Sequence, residues 1–227
     1  MYFPERSTEF TGTDLAEMLR SLSGQAREDF ILEQVKNGCV PDFMRAPAVL
    51  HLQGAGITAT LEVLPDYLCL GTDDDFVYAQ CTIETAQKIA DVIGAMLPTK
   101  KIVDEIWRQA PVKIEPITQT PDETMVTSPV MLKQSAEVRA ARLAHGAPLG
   151  VLAAGGFKSY ILVPEMAQHP GQTCIYGWHR ADGRPIQGAN IKAHNARYND
   201  YAQCPQFNAV ELWVGDDLVM VKDALAG

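Results

Sequence analysis

Residues 175–201, IYGWHRADGRPIQGANIKAHNARYNDY, carry two of the five histidines, three tyrosines, a tryptophan and two aspartates. The segment is too polar and too turn-rich for ordinary core, and loops held on a rigid scaffold often carry function. His179 follows the apolar run TCIYGW and precedes the turn Ala181-Asp182-Gly183. A histidine there can be held by packing while its ring serves as general acid or base near neutral pH. The plain alternative is a histidine bonded to a loop carbonyl. Asp200 is the candidate to orient or stabilise it, and Lys158 could supply positive charge to a developing oxyanion. Tyr198 and Tyr201 would shape a pocket and donate hydrogen bonds. Trp178, Asp182 and Gln187 complete the candidate binding set.

His194 with Asp200 offers a second pairing, of the kind that orients a triad imidazole. The nucleophile would have to be Ser159 or Cys204, and neither sits in a GxSxG elbow or a known cysteine-nucleophile context. His179, His194 and Asp200 could instead hold one metal ion. Their separations along the chain match no metal motif, so no metal or cofactor is expected. Asp73-Asp74-Asp75 reads first as a charged turn or helix-capping cluster, second as an oxygen site for a divalent cation. Gly155-Gly156 before Lys158 lacks P-loop spacing and reads as a hinge. The mixed charges of Lys88–Asp91 and Lys100–Glu105 read as solvated helix faces with no assigned function.

The elements that must position these groups follow from pattern. Two short helices are expected within 12–37, the first capped by Thr13 and the second ended by Asn37-Gly38. Residues 48–54 and 57–64 form a hairpin about Ala55-Gly56, and 66–71 a third strand. Thr82 opens a helix closed by Pro98, and Thr99 opens another ended by Pro111. Residues 111–130, with four prolines, read as a loop or internal linker, and 133–143 as a short polar helix. Strands are expected at 158–163, 172–177, 209–214 and 217–222. Helices, hairpin, helices, then strands give a single α+β domain over 1–227 with a helical N-terminal part, 1–46. The sheet is mainly antiparallel, with helices 82–96 and 99–110 on one face.

Composition narrows the function classes. The 227 residues carry a net charge of −9, which argues against nucleic acid and against an anionic membrane. No apolar run approaches the roughly 20 residues that span a bilayer, so no membrane insertion is expected. MYFPERSTEF lacks the basic and apolar regions of a secretory signal, so the expectation is a cytoplasmic protein, or one carried in a phage particle. Five cysteines with no CxxC pair read as reduced, buried thiols.

Five strings together resemble a poorly characterised family of bacterial proteins: PDYLCLGTDDDF (65–76), AQKIADVIGAMLPTKKIVDEIWRQA (86–110), PLGVLAAGGFK (148–158), IYGWHRADGRPIQ (175–187) and ARYNDY (196–201). The resemblance spans roughly residues 40–210. The family's histidine- and aspartate-bearing strings look like those of a hydrolase acting on cell-envelope material. This chain departs from them at two places. The family's GHKKD stands here as Gly155-Gly156-Phe157-Lys158-Ser159, and its DYSHG as Asp200-Tyr201-Ala202-Gln203-Cys204. Both family histidines are missing, while His179, Gln187, Tyr198, Asp200 and Tyr201 stay.

The expectation is therefore a hydrolase-like protein that acts on or binds cell-envelope glycan or peptide. Its cleft would be built by 155–159, 175–187 and 194–201. The alternative is a non-catalytic structural or binding component, of a phage particle or an envelope complex. Burial separates the two: a catalytic His179 should line an open cleft, a structural one should be covered and hydrogen-bonded.

Overall fold

The computed structural model describes residues 1–54, 56–191 and 194–226. Ala55 of the expected hairpin turn lies outside them, as do Lys192 and Ala193 of the 175–201 segment.

Thr11 caps helix α1 (Gly12–Arg20), its hydroxyl accepting from the Asp14 N–H while the Asp14 carboxylate accepts from the Thr11 N–H. The cap is thus two residues earlier than Thr13, whose N–H donates to Asp75 Oδ2 at 2.8 Å. Helix α2 (Gly24–Lys36) ends at Asn37, and Gly38 follows with φ 65°. A side chain at Gly38 would collide with the backbone of Pro4 and Glu5. Strands β1 (Ala48–Gly54) and β2 (Ile57–Val63) form the expected hairpin, and β3 (Cys69–Gly71) pairs with β4 (Phe76–Tyr78).

Thr82 caps helix α3 (Ile83–Ile93), and Gly94 ends it at φ 63°, four residues before Pro98. The freed residues form β5 (Ala95–Met96). Helix α4 (Lys100–Gln109) starts from Thr99 as expected, and β6 (Val112–Lys113) follows. Helix α5 (Ser128–Ala144) begins five residues earlier than its polar pattern suggested. Pro129 is tolerated there because the first-turn N–H groups have no helical partner anyway. Strands β7 (Ala153–Ala154), β8 (Lys158–Tyr160), β9 (Gln172–Thr173), β10 (Ile175–His179), β11 (Pro185–Gln187), β12 (His194–Asn195), β13 (Asn208–Val214) and β14 (Asp217–Met220) come next. Short α6 (Val221–Ala226) takes the place of the expected end of the last strand.

The fold is α+β with mostly antiparallel sheets. The main sheet has the order β1-β2-β13-β14, with β5 also on β13, every pair antiparallel. A second sheet, β11-β10-β8, is antiparallel throughout, and the short pair β6–β7 is parallel. Alternation along the strands turns Leu50, Leu61 and Leu212 inward, where Ile102 and Ile106 of α4 cover them. Gln109 of α4 closes the β1 edge: its amide donates to the His51 carbonyl and accepts from the His51 N–H, both at 2.9 Å. Helix α3 lies elsewhere, in a second core with α1, α2, β3 and β4. Glu28 of α2 accepts from both Thr82 N–H and Thr82 hydroxyl, tying α2 to the start of α3. Both cores draw residues from across the chain, from Phe3 to Phe207 and from Leu50 to Val221, which ties the chain into one folded unit.

Segment 111–130 is not a free linker. Val112 and Ile114 are buried, the Ile117 carbonyl accepts from Gln134, and the Gln119 side chain bonds Gln134 and Glu137 of α5. Helix α5 is itself anchored by a buried ion pair, Arg142 Nε to Asp66 Oδ2 at 3.3 Å. Arg142 also donates to the carbonyls of Ala147, Pro148 and Val151. Burial pushes the Asp66 carboxyl up to about 6, against the opposing pull of Arg142 and of hydrogen bonds from Tyr67 N–H and Tyr78 hydroxyl.

Arg142→Leu leaves a buried carboxylate without its cation, and should cost about 3–5 kcal/mol at neutral pH. Protonating Asp66 removes that buried charge, so urea unfolding should show a smaller loss at about pH 5 than at about pH 7.5. An equal loss at both would show that the ion pair is not what holds α5.

Candidate functional site

Strand β10 supplies both Trp178 and His179, and the two residues feed different clusters. Gly177 and Trp178 have φ 100° and 58°, so the strand bends through two successive left-handed residues. That bend brings Tyr176 and His179, which a regular strand would put on opposite faces, onto one carboxylate. Asp104 Oδ1 accepts from the Tyr176 hydroxyl at 2.7 Å and lies 3.1 Å from His179 Nε2. Lys100 Nζ donates to Asp104 Oδ2 at 2.7 Å. The His179 ring stacks on Trp107, with centroids 5.5 Å apart and planes at 28°. At φ 100° Gly177 holds a backbone that other residues rarely adopt, and a side chain there would also crowd Val103 of α4.

His179 is 4% exposed. Burial lowers its pKa, and the Asp104 carboxylate only partly offsets that, which favours the neutral ring; because the carboxylate can only accept, the contact calls for the proton on Nε2. Asp104 is pushed up by burial, but hydrogen bonds from Lys100, Tyr176 and His179 outweigh this and hold it below its ordinary value. The cluster is a buried imidazole bonded to a carboxylate on a neighbouring helix. Lys100, Asp104 and Trp107 stand at i, i+4 and i+7 of α4, one face of the helix. The charges of this stretch read as a solvated face, and the Lys100–Asp104 pair is indeed half exposed. A tryptophan on the same face as an ion pair was the available signal that the face is covered.

The second cluster gathers Lys158, Trp178, His194, Tyr198, Asp200 and Tyr201. Lys158 Nζ lies 3.9 Å from Asp200 Oδ2 and 5.0 Å from the centre of the Trp178 ring. Asp200 Oδ1 accepts from the Ala202 N–H at 2.8 Å, and the Tyr198 hydroxyl donates to Oδ2 at 3.4 Å. His194 stacks on Tyr198, with centroids 5.0 Å apart and planes at 18°. Burial lowers the His194 pKa, while the Asp200 charge pulls it up and Lys158 pushes it down. The Trp178 indole donates to the Gly156 carbonyl, and Tyr201 packs edge-on against Trp178 while its hydroxyl accepts from the Gln119 N–H. Asp200 is nearly covered, whereas His194 and Tyr198 are half-buried.

The expected constellation is therefore split. Asp104, not Asp200, is the carboxylate bonded to His179. Asp200 serves Lys158, Tyr198 and the Ala202 N–H, so the Lys158 charge faces a carboxylate rather than an open oxyanion position. Asp182 forms its own turn, accepting from the Arg184 N–H and guanidinium, and Gln187 donates to the Gly188 carbonyl. Neither belongs to a cluster. Ser159 is buried, and burial raises the Cys204 thiol well above its ordinary value, so neither is set up as a nucleophile. Among the described residues, no group of three His, Cys, Asp or Glu could hold a metal ion. The two-histidine, one-carboxylate arrangement is not formed.

Two members of the acidic triplet accept backbone N–H groups. Asp73 Oδ1 accepts from the Phe43 N–H, and Asp75 accepts from Thr13 at the start of α1 while pairing with Arg139. Comparison with protein-family models, with curated proteins and with solved structures finds no match. Among the described residues, no helix is long and apolar enough to cross a membrane.

Because the folded pKa of His179 is lowered, unfolding it below about pH 6.5 takes up a proton, and its contribution to stability falls as the pH drops through that range. The difference in unfolding free energy between wild type and His179→Gln should therefore shrink steadily from about pH 7 to about pH 5. A difference that stays flat or grows on acidification would contradict a buried neutral imidazole.

Proposed function

We propose that this chain is a non-catalytic binding component, and that its recognition site is the Lys158–Asp200–Tyr198–His194 cluster. The observation that carries this reading is the state of His179, which is covered and stacked, its ring nitrogen engaged by Asp104. The burial of Ser159 and Cys204 points the same way, because it covers the two side chains that could have served as a protein nucleophile. The second cluster has what recognition needs. Among the described residues Lys158 Nζ makes no hydrogen bond, and its carboxylate partner stands beyond hydrogen-bond reach. Asp200 already accepts from the Ala202 N–H and the Tyr198 hydroxyl and is nearly covered, so a ligand oxygen would be met by the Lys158 ammonium. The half-buried His194–Tyr198 stack beside it offers a flat face for a sugar ring or a peptide plane. Glycan or peptide of the cell envelope suits such a site.

The hydrolase reading is the second. One observation favours it: Trp178, a bulky residue, holds a left-handed backbone beside the Lys158–Asp200 pair, and strain of that kind concentrates at functional sites.

Saturation-transfer NMR with soluble muropeptides tests the choice. Binding should appear with wild type, weaken about tenfold or more in Lys158→Met and Asp200→Asn, and leave the muropeptides intact by mass. Cleaved muropeptides would favour the hydrolase, and absence of binding by folded wild type would remove the glycan and peptide reading.

A further inference from the structure

We propose that the outward face of the main sheet is a docking surface for a partner-protein segment that presents lysine or arginine between apolar side chains. This face shares no residue with either cluster. Register places His51 beside Thr60, Thr60 beside Trp213, and Trp213 beside Leu218. One step along the strands, Val49 pairs with Glu62 and Glu211 with Met220. Leu61 pairs with Leu212 and Val63 with Asn208, so the exposed Glu62 and Glu211 both lie in the short stretch between those pairs, where the β2–β13 register shifts.

The apolar members are unusually open. Val49, Trp213 and Leu218 are 52%, 48% and 49% exposed. An open groove of about 380 Å³ runs beside Trp213, floored by His51, Thr58 and Thr60. Exposed apolar side chains grouped on one sheet face, rather than scattered, mark an interaction surface.

Charge selects the occupant. Neighbouring carboxylates across a strand pair repel each other. Among the described residues, Glu62 and Glu211 form no ion pair, and neither do Asp216 and Asp217 at the tip of the β13–β14 hairpin. A second copy would set carboxylates against carboxylates, and nucleic acid or an anionic lipid surface would be repelled likewise. A cation placed between Glu62 and Glu211 relieves their repulsion, while its apolar neighbours cover Trp213, Leu218 and Val49.

The probe is a short synthetic peptide alternating lysine with valine, against the same peptide with glutamate for lysine. Labelled-peptide anisotropy gives the affinity. Trp213 emission, identified by its loss in Trp213→Phe, reports the site. The lysine peptide should bind and shift that emission to the blue, and the glutamate peptide should not bind. The double variant Glu62→Gln, Glu211→Gln should weaken binding about tenfold or more. Glu17→Gln with Glu33→Gln, the same charge change on α1 and α2, should leave it unchanged. Equal weakening by both double variants would reduce the effect to general attraction by a −9 chain and overturn the proposal. So would no binding by wild type, or equal binding of the glutamate peptide.

Discussion

Arg142 and Asp66 form an ion pair inside the protein, 3.3 Å apart, and separate parts of the chain meet on it. Arg142 is fully buried and Asp66 almost so, and each spends its remaining valence on a different part of the chain. Arg142 holds the carbonyls that follow α5, so the turn into β7 is fixed by one guanidinium. Asp66 accepts from Tyr78 of β4 and from the Tyr67 N–H. The Tyr67 hydroxyl then accepts from Gly155 N–H and donates to the Phe157 carbonyl, next to Lys158. A buried ion pair is weak evidence for stability in itself, because desolvation opposes it. Its effect here is registry: it sets where α5, β4 and the approach to β8 meet.

From that anchor the candidate site follows by short steps. Strand β8 is held by β10 on one side, and its Lys158 N–H donates to the Ala202 carbonyl on the other. This places Lys158 against Asp200 and Trp178. The left-handed turn at Gly177 and Trp178 then sends the next residue, His179, toward α4. One distorted strand thus serves two clusters, Trp178 in one and Tyr176 with His179 in the other. The binding reading rests on this division, since Asp104, and not the Lys158–Asp200 pair, bonds the imidazole.

Much of the fold was legible in the sequence, and the reasons are local. Thr82 and Thr99 announce helix starts because a threonine hydroxyl satisfies an orphan N–H within its own turn. The 48–64 hairpin shows in its alternation and β-branched residues. Asp73 and Asp75 accept backbone N–H groups, as members of a charged, capping turn would. What the sequence concealed depends on distant contacts. Prolines made 111–130 look like a linker, although Gln119 is pinned by α5 and Tyr201. The bend at Gly177-Trp178 is invisible in an apolar run that reads simply as a strand. Asp104 could not be preferred to Asp200 as the His179 partner, because the choice is made by the packing of α4 on β10. By contrast, Lys158, Trp178, Tyr198, Asp200 and Tyr201, all expected near one site, do gather.

The most direct test of the divided site is a pH titration of the His179 ring nitrogens by NMR, in wild type, Asp104→Asn and Asp200→Asn. The account predicts a neutral Nε2–H ring at neutral pH. Its signals should shift in Asp104→Asn and stay in place in Asp200→Asn. A ring that ignores Asp104→Asn and responds to Asp200→Asn would contradict the account and restore the single catalytic constellation.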